Sequence, residues 1–241
     1  MTLDPVGKVL AEGGVRKGVG AGAQCGYEER GRFGLAALAI VFTFGALLNA
    51  FGMVSPVYVV EKWLASLMRV SHEAPVLSVI FGFFLVLEPL ALFGLAAWFT
   101  SVWGGSKRPL LPIAVRYSYA LVPLGFGMWL AHYGFHFFTG FLTFIPVTQS
   151  AFASLGWNFL GDPRWTLTGI PVRFVQPIEL GFIGLGFAGS VLVTHRLAED
   201  DSPKHPMRAF TPWVVVCLLI CLASIWLMFQ PMEMRATFMM G

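Results

Sequence analysis

The chain has 241 residues, 56% of them hydrophobic and only 12% charged, with a mean hydropathy of +0.72 and a formal net charge of +3. Soluble domains carry roughly 25% charged residues, so this composition excludes an ordinary soluble fold and points to lipid. Three cysteines (Cys25, Cys217, Cys221) make neither a disulfide framework nor a CxxC pair, and no basic stripe interleaved with aromatics suggests nucleic acid.

Residues 1–32 read as a mixed-charge, glycine-rich cytoplasmic leader, with no apolar signal-peptide core before residue 33. Its VGAGAQCG run lacks the preceding strand and the immediate following helix of a phosphate loop. Residues 33–241 read as one all-α transmembrane domain, a polytopic bundle of about five membrane-spanning helices plus interfacial helices.

The first span is expected over 33–54. Asn49 is its one strongly polar member, and Gly45 and Gly52 thin it for close helix packing. Residues 55–74 alternate apolar and charged positions at helical spacing, too short and too charged to span, and predict an interfacial helix at the surface. The second span, 75–103, begins at Pro75, where proline suits a helix start. Midway it carries Glu88 followed by Pro89, which predicts a kink, because Pro89 leaves the carbonyl of residue 85 without its donor.

The third span, 111–140, starts with Arg116, whose side chain can snorkel to the headgroups. It carries His132 and His136, a spacing that puts both imidazoles on one helix face about one turn apart. A long loop follows over 141–174, with a short amphipathic helix expected first and a turn at GDPRW. The fourth span, 175–197, has Gln176 and Glu179 near its start and glycines at 181, 184, 186 and 189 that predict one thin face. Residues 198–208 read as a water-exposed link. The fifth span covers 209–231, ahead of the tail PMEMRATFMMG.

Lysine and arginine bias sets orientation. With the N-terminus inside, ten of these residues fall in inside segments and five in outside ones. This predicts a multi-pass protein of a bacterial-type inner (plasma) membrane, N-terminus cytoplasmic and C-terminus periplasmic. His132, His136, Glu179 and the tail residues Met232, Met234 and Arg235 then converge near the outer face, with Glu88 deeper.

Ionisable groups at membrane depth are expensive and mark sites. Imidazoles at i and i+4 can converge on one metal ion, and the thioethers of Met232 and Met234 are soft donors suited to copper. The same histidines cannot clamp a single haem, whose axial ligands come from opposite sides, although each could share a haem with a histidine of another helix. Contact with a quinone, or simple interhelical hydrogen bonding, are further readings of the pair. Glu88 and Glu179 are candidate proton carriers, since burial favours the protonated carboxyl, and each could equally donate one interhelical hydrogen bond. Cys217 and Cys221 read as small buried hydrophobes.

The run YALVPLGFGMWLAHYGFHFFTG with IPVTQ after it, NAFGMVSPVYVVEKWLA over 49–65, EAPVLS and the closing QPMEMRAT together resemble a known family. It is the C-terminal membrane domain of membrane-bound 4Fe–4S polyferredoxin-type proteins, and the resemblance spans about 33–237. It implies electron transfer between cytoplasmic iron–sulfur clusters and a membrane or periplasmic acceptor. His132, His136, Gln149, Met232, Met234 and Arg235 fall at its motif positions. The chain departs from the family in its cysteines. A cubane cluster needs a set such as C-x2-C-x2-C-x3-C, and only Cys25 precedes the spans, so no iron–sulfur cluster is expected within this chain alone.

The expected function is a membrane subunit of a respiratory or electron-transfer complex. It would anchor partner subunits, a ferredoxin-like iron–sulfur subunit among them, and place a metal, haem b or quinone near the outer face through His132, His136, Glu179, Gln149 and Arg235. The alternatives are a copper-handling membrane protein using His132, His136, Met232 and Met234, or a cofactor-free accessory subunit. With no nucleophile–base pair in view, a non-catalytic or electron-transfer subunit is expected rather than a stand-alone enzyme.

Overall fold

The computed structural model describes residues 21–106, 108–157 and 159–231, with side chains from Arg32 onward. Most of the leader, the Cys25 side chain, and Met232, Met234 and Arg235 lie outside the described residues. Among the described residues the regular elements are helical, and five runs are long and apolar enough to cross a membrane: Arg32–Phe51, Glu73–Val102, Leu110–Ser154, Val172–Asp201 and Pro206–Met228. These are the five expected spans, with boundaries moved by a few residues at most ends.

The first run belongs to α1 (Ala21–Phe51), and a short helix α2 (Ser55–Met68) follows it. The second is α3 (Glu73–Gly82) and α4 (Glu88–Val102), joined by a π-helical turn over Phe83–Leu87. The third is α5 (Leu110–Ser118), α6 (Val122–Gly140) and α7 (Phe144–Ser154), joined by 3-10 turns at Tyr119–Leu121 and Phe141–Thr143. The last two are α8 (Val172–Asp201) and α9 (Pro206–Met228).

The π turn is the local answer to Pro89. Proline has no N–H to give the carbonyl four residues back, and the backbone widens just ahead of it so that Glu88 N–H reaches Phe83 O. The expected distortion is therefore a π-bulge, one of the recognised causes of a kink.

Helix α6 is central, packed antiparallel against α8 and parallel to α1. Glycine makes the α6–α8 approach possible. A Cβ on Gly127 would lie 2.5 Å from the Phe182 carbonyl oxygen, and one on Gly186 would lie 2.7 Å from that of Pro123. Small residues that let backbones touch are the usual device of helix association in lipid. The thin face of α8 is narrower than expected: Gly186 and Gly189 meet α6, while Gly181 and Gly184 face open space. In α1 the close approach is made by Thr43, which fills the place a side chain on Gly125 would take, and Gly45 has nothing within 4 Å of its Cβ position. Buried Thr43, Thr100, Thr194 and Ser224 return their hydroxyls to the carbonyl four residues back, so they satisfy themselves within the bundle.

At one end of the bundle, the arginine end, the polar link is not the exposed loop expected. Helix α8 runs on through Asp201, whose side chain is fully buried and meets Arg108 at 3.2 Å and Arg116 at 3.2 Å. Arg116 also reaches Asp200 at 3.1 Å, so it pins α5 to α8. Just inside, Trp213 stacks on Tyr117 with centroids 4.6 Å apart and donates from Nε1 to Thr100 Oγ1 at 2.9 Å. That contact locks α9 to α4 and α5.

The opposite end, the histidine end, is closed by loops. Ser55 N–H donates to the Pro231 carbonyl at 3.1 Å, bringing the end of the described chain beside the α1–α2 turn. Gly169 packs on the backbone of Phe138 and Thr139, and Ile170 N–H donates to Phe138 O at 2.7 Å. Helix α2 is only partly the surface helix expected, because Val57, Tyr58 and Glu61 turn inward and are buried. The loop between α7 and α8 presents exposed Trp157, Phe159 and Trp165, residue types that gather at membrane–water interfaces.

Candidate functional site

His132 lies on α6 with 1% of its surface exposed. Its Nε2 accepts a hydrogen bond from Asn49 Nδ2 of α1 at 3.1 Å. A neutral imidazole that accepts at Nε2 carries its proton on Nδ1, and Nδ1 is buried with no hydrogen-bond partner among the described residues. A buried donor left unmade costs about 1–3 kcal/mol. His132 is thus held at one nitrogen and unspent at the other.

Glu179, 2% exposed, is a second unspent group, its Oε1 also buried without a hydrogen-bond partner among the described residues. The antiparallel register of α6 on α8 sets Pro123 against Gly189 and Gly186, and Gly127 against Phe182 and Gly186. The same register carried one turn further sets position 132 level with 179. Two orphaned polar groups, one donor and one acceptor, thus share a level on adjacent helices. His136 continues the face one turn on. Its ring centroid is 5.2 Å from that of His132 with the planes at 84°, and its side chain is exposed.

The site lies at the histidine end. Asn49 is two residues from the end of α1, about 3 Å of helix rise. It is therefore shallow and within reach of the surface through His136.

The remaining candidates are arranged otherwise. Glu88 is half-buried beside the π turn, and Pro89 next to it lines one cleft with Ala37 and Val41, about two turns or more deeper along α1 than Asn49. Structure gives Gln149 a mechanical job: its Nε2 donates to Leu160 O at 2.9 Å and its Oε1 accepts from Arg164 N–H at 3.1 Å. It ties α7 to the α7–α8 loop. Cys217 and Cys221 are buried free thiols in the core, as expected.

As a metal site, the histidine pair supplies two donors where zinc or copper commonly takes three or four. No third His, Cys, Asp or Glu joins them in a metal-holding group among the described residues. As a haem site, the two rings leave one face of one helix, so they cannot take opposite sides of one macrocycle.

Sequence reading named His132, His136 and Glu179 but missed Asn49, the partner of His132, and Glu61 near the same end. Asn49 was visible as the lone polar residue of its span, and Glu61, 2% exposed, was hidden in what looked like a surface helix. Both line a cleft of about 370 Å³ between α1, α2 and α3. No protein-family model, curated protein or solved structure matches the chain.

Proposed function

We propose that the chain is a membrane subunit of an electron-transfer complex, with the arginine end cytoplasmic and the polar site of Asn49, His132, His136 and Glu179 near the outer face. The observation that carries the reading is that two buried groups, His132 Nδ1 and Glu179 Oε1, each lack a hydrogen-bond partner among the described residues, on helices whose register sets the two positions at about one level. Such groups are poorly justified as packing, because each adds an unmade hydrogen bond. They suit a site that hands protons between buried groups and the surface, as reduction or oxidation of a membrane carrier requires.

Affinity purification of the full chain from native membranes, followed by subunit identification, visible spectroscopy and metal analysis, tests this reading. A stoichiometric iron–sulfur or haem-bearing partner is the expected result. A chain that purifies alone, without redox-active partner, would overturn it.

A copper-handling role is the second reading, favoured by one observation. Pro231 is tied to Ser55 beside the α1–α2 turn, so the chain enters its Met232–Met234 segment from the histidine end of the bundle. Copper retained by the purified chain, and lost in His136→Ala, would favour it over electron transfer.

A further inference from the structure

Glu88 lies midway along the run Glu73–Val102, about 21 Å of helix from either end. That is the centre of a hydrocarbon core roughly 30 Å thick. Its side chain is partly exposed, and no hydrogen bond or ion pair reaches it among the described residues. It lines neither of the clefts this span forms with α1. The buried face of α4 is Pro89, Phe93, Ala96, Ala97 and Thr100, and Glu88 lies about 120° around the helix from the middle of it. Ionisable side chains within spans ordinarily face the bundle interior or a water-filled cavity. Glu88 instead faces out of the bundle, on the least buried of the five runs.

The same outward face continues through Ala91, Leu95, Trp98 and Val102, all exposed. From Glu88 the steps are three, four, three and four residues, the a/d spacing by which one helix seats against another in a left-handed pair. Membrane helices pack mostly in that geometry. The carboxyl decides what covers the seam. Lipid tails offer it no donor, and an unmet polar group in hydrocarbon is expensive. A second copy offers none either. The lysines and arginines of the five runs, Arg116 and Arg196 among them, lie near run ends, so two copies would set carboxyl against carboxyl. We infer that the seam seats a membrane-spanning helix of a different subunit, one that presents a lysine or arginine at the level of Glu88. Opposite charges at membrane depth satisfy one another in this way. The inference requires a complex but holds whatever reaction that complex performs.

The test is photocrosslinking in native membranes, with p-benzoylphenylalanine placed at Leu95 of the full chain. A crosslink is expected to a membrane-spanning peptide of another protein, with a lysine or arginine within one turn of the level of Glu88. The same probe at Leu185, exposed on α8, should not capture that peptide. Glu88→Lys should lower the crosslink by about tenfold or more, the factor that accompanies loss of one sizeable contact. Exchanging the partner's basic residue for glutamate in that background should restore it. Glu88→Gln keeps the shape without the charge and should also weaken the crosslink at unchanged protein level. Crosslinks to lipid alone, to a second copy, or to a helix with no basic residue at that level overturn the inference, as does undiminished crosslinking of Glu88→Gln and Glu88→Lys. A seam partner in a complex without redox cofactors would sustain the seam and remove the electron-transfer reading. Redox subunits that copurify while the seam captures only lipid would do the reverse.

Discussion

Asn49 Nδ2 and His132 Nε2 are joined across two spans at 3.1 Å, the one side-chain bond described between α1 and α6 at the histidine end. It fixes the imidazole's tautomer and orientation, and it makes Asn49 the single residue shared by the buried site and the adjoining cleft. A displacement of the Asn49 amide is therefore felt at His132.

Breaking this bond from either side should show coupling. Asn49→Leu leaves both imidazole nitrogens of His132 unmet, and His132→Phe leaves the amide short of one acceptor. A double-mutant cycle read by reversible unfolding in detergent or bicelles is expected to give more than the average of about 0.6 kcal/mol for interhelical hydrogen bonds in membranes, up to their maximum of about 1.7 kcal/mol. A coupling within the roughly 0.3–0.5 kcal/mol expected of independent sites would mean that the contact has no energetic content.

The glycines of α8 should separate into two classes. Gly186→Ala places a methyl 2.7 Å from the Pro123 carbonyl oxygen and 3.1 Å from Leu124 Cα, against backbone that cannot step aside. Overpacking of this kind costs about 1–3 kcal/mol. Gly181→Ala and Gly184→Ala meet open space and should raise stability by up to about 1 kcal/mol through helix propensity. Equal effects at all three positions, by the same unfolding assay, would contradict the α6–α8 register and with it the levelling of His132 with Glu179.

The spans were legible because length and hydropathy are local properties: 18-residue apolar windows declare themselves whatever packs around them. The distortion at Pro89 was equally local, since a missing N–H acts on its own helix. What packs against what is not local. The four glycines of α8 look alike in sequence, yet only Gly186 and Gly189 meet α6, because the register of two helices decides which faces touch. Asp200 and Asp201 read as part of a soluble link for the same reason. Nothing within 198–208 says that Arg108 and Arg116 lie beside them. Glu61 was lost because a charge in an amphipathic helix ordinarily faces water, whereas here the helix is rolled so that Glu61 faces the cleft. Sequence thus exposed half the site, the residues whose polarity is anomalous in a span, and concealed the half supplied by tertiary neighbours.

At the arginine end, the ion pairs should be unequal. Asp201 is fully buried and meets two guanidinium groups, whereas Asp200 is 72% exposed and meets one. Asp200→Ala should change stability by less than about 1 kcal/mol, as surface pairs do. Asp201→Ala removes the charge facing both Arg108 and Arg116, and breaking a buried pair costs about 3–5 kcal/mol, discounted here because both arginines are partly solvated. The ordering Asp201→Ala well above Asp200→Ala is the expected outcome, and the reverse ordering would show that Asp201 does not tie α5 to α8.

Orientation can be read without touching the site. Arg32, Arg108, Arg116, Arg196, Lys204 and Arg208 belong to the arginine end, and Lys62, Arg69, Arg164 and Arg173 to the other. The larger cationic count should stay cytoplasmic, even though part of it is neutralised locally by Asp200 and Asp201, because acidic residues contribute little to the bias. Single cysteines report the sidedness. Cys217 and Cys221 are buried and should be silent to a membrane-impermeant maleimide, and Cys25→Ser removes the third thiol. In that background Ser71→Cys, exposed at the histidine end, is expected to label in cells whose inner membrane is intact. His205→Cys, exposed at the arginine end, should label only after that membrane is permeabilised. The opposite pattern would invert the bundle and put His132 and His136 on the cytoplasmic side. An electron-transfer role would then need its carrier and partner on that same face, and a periplasmic copper source could no longer reach the pair.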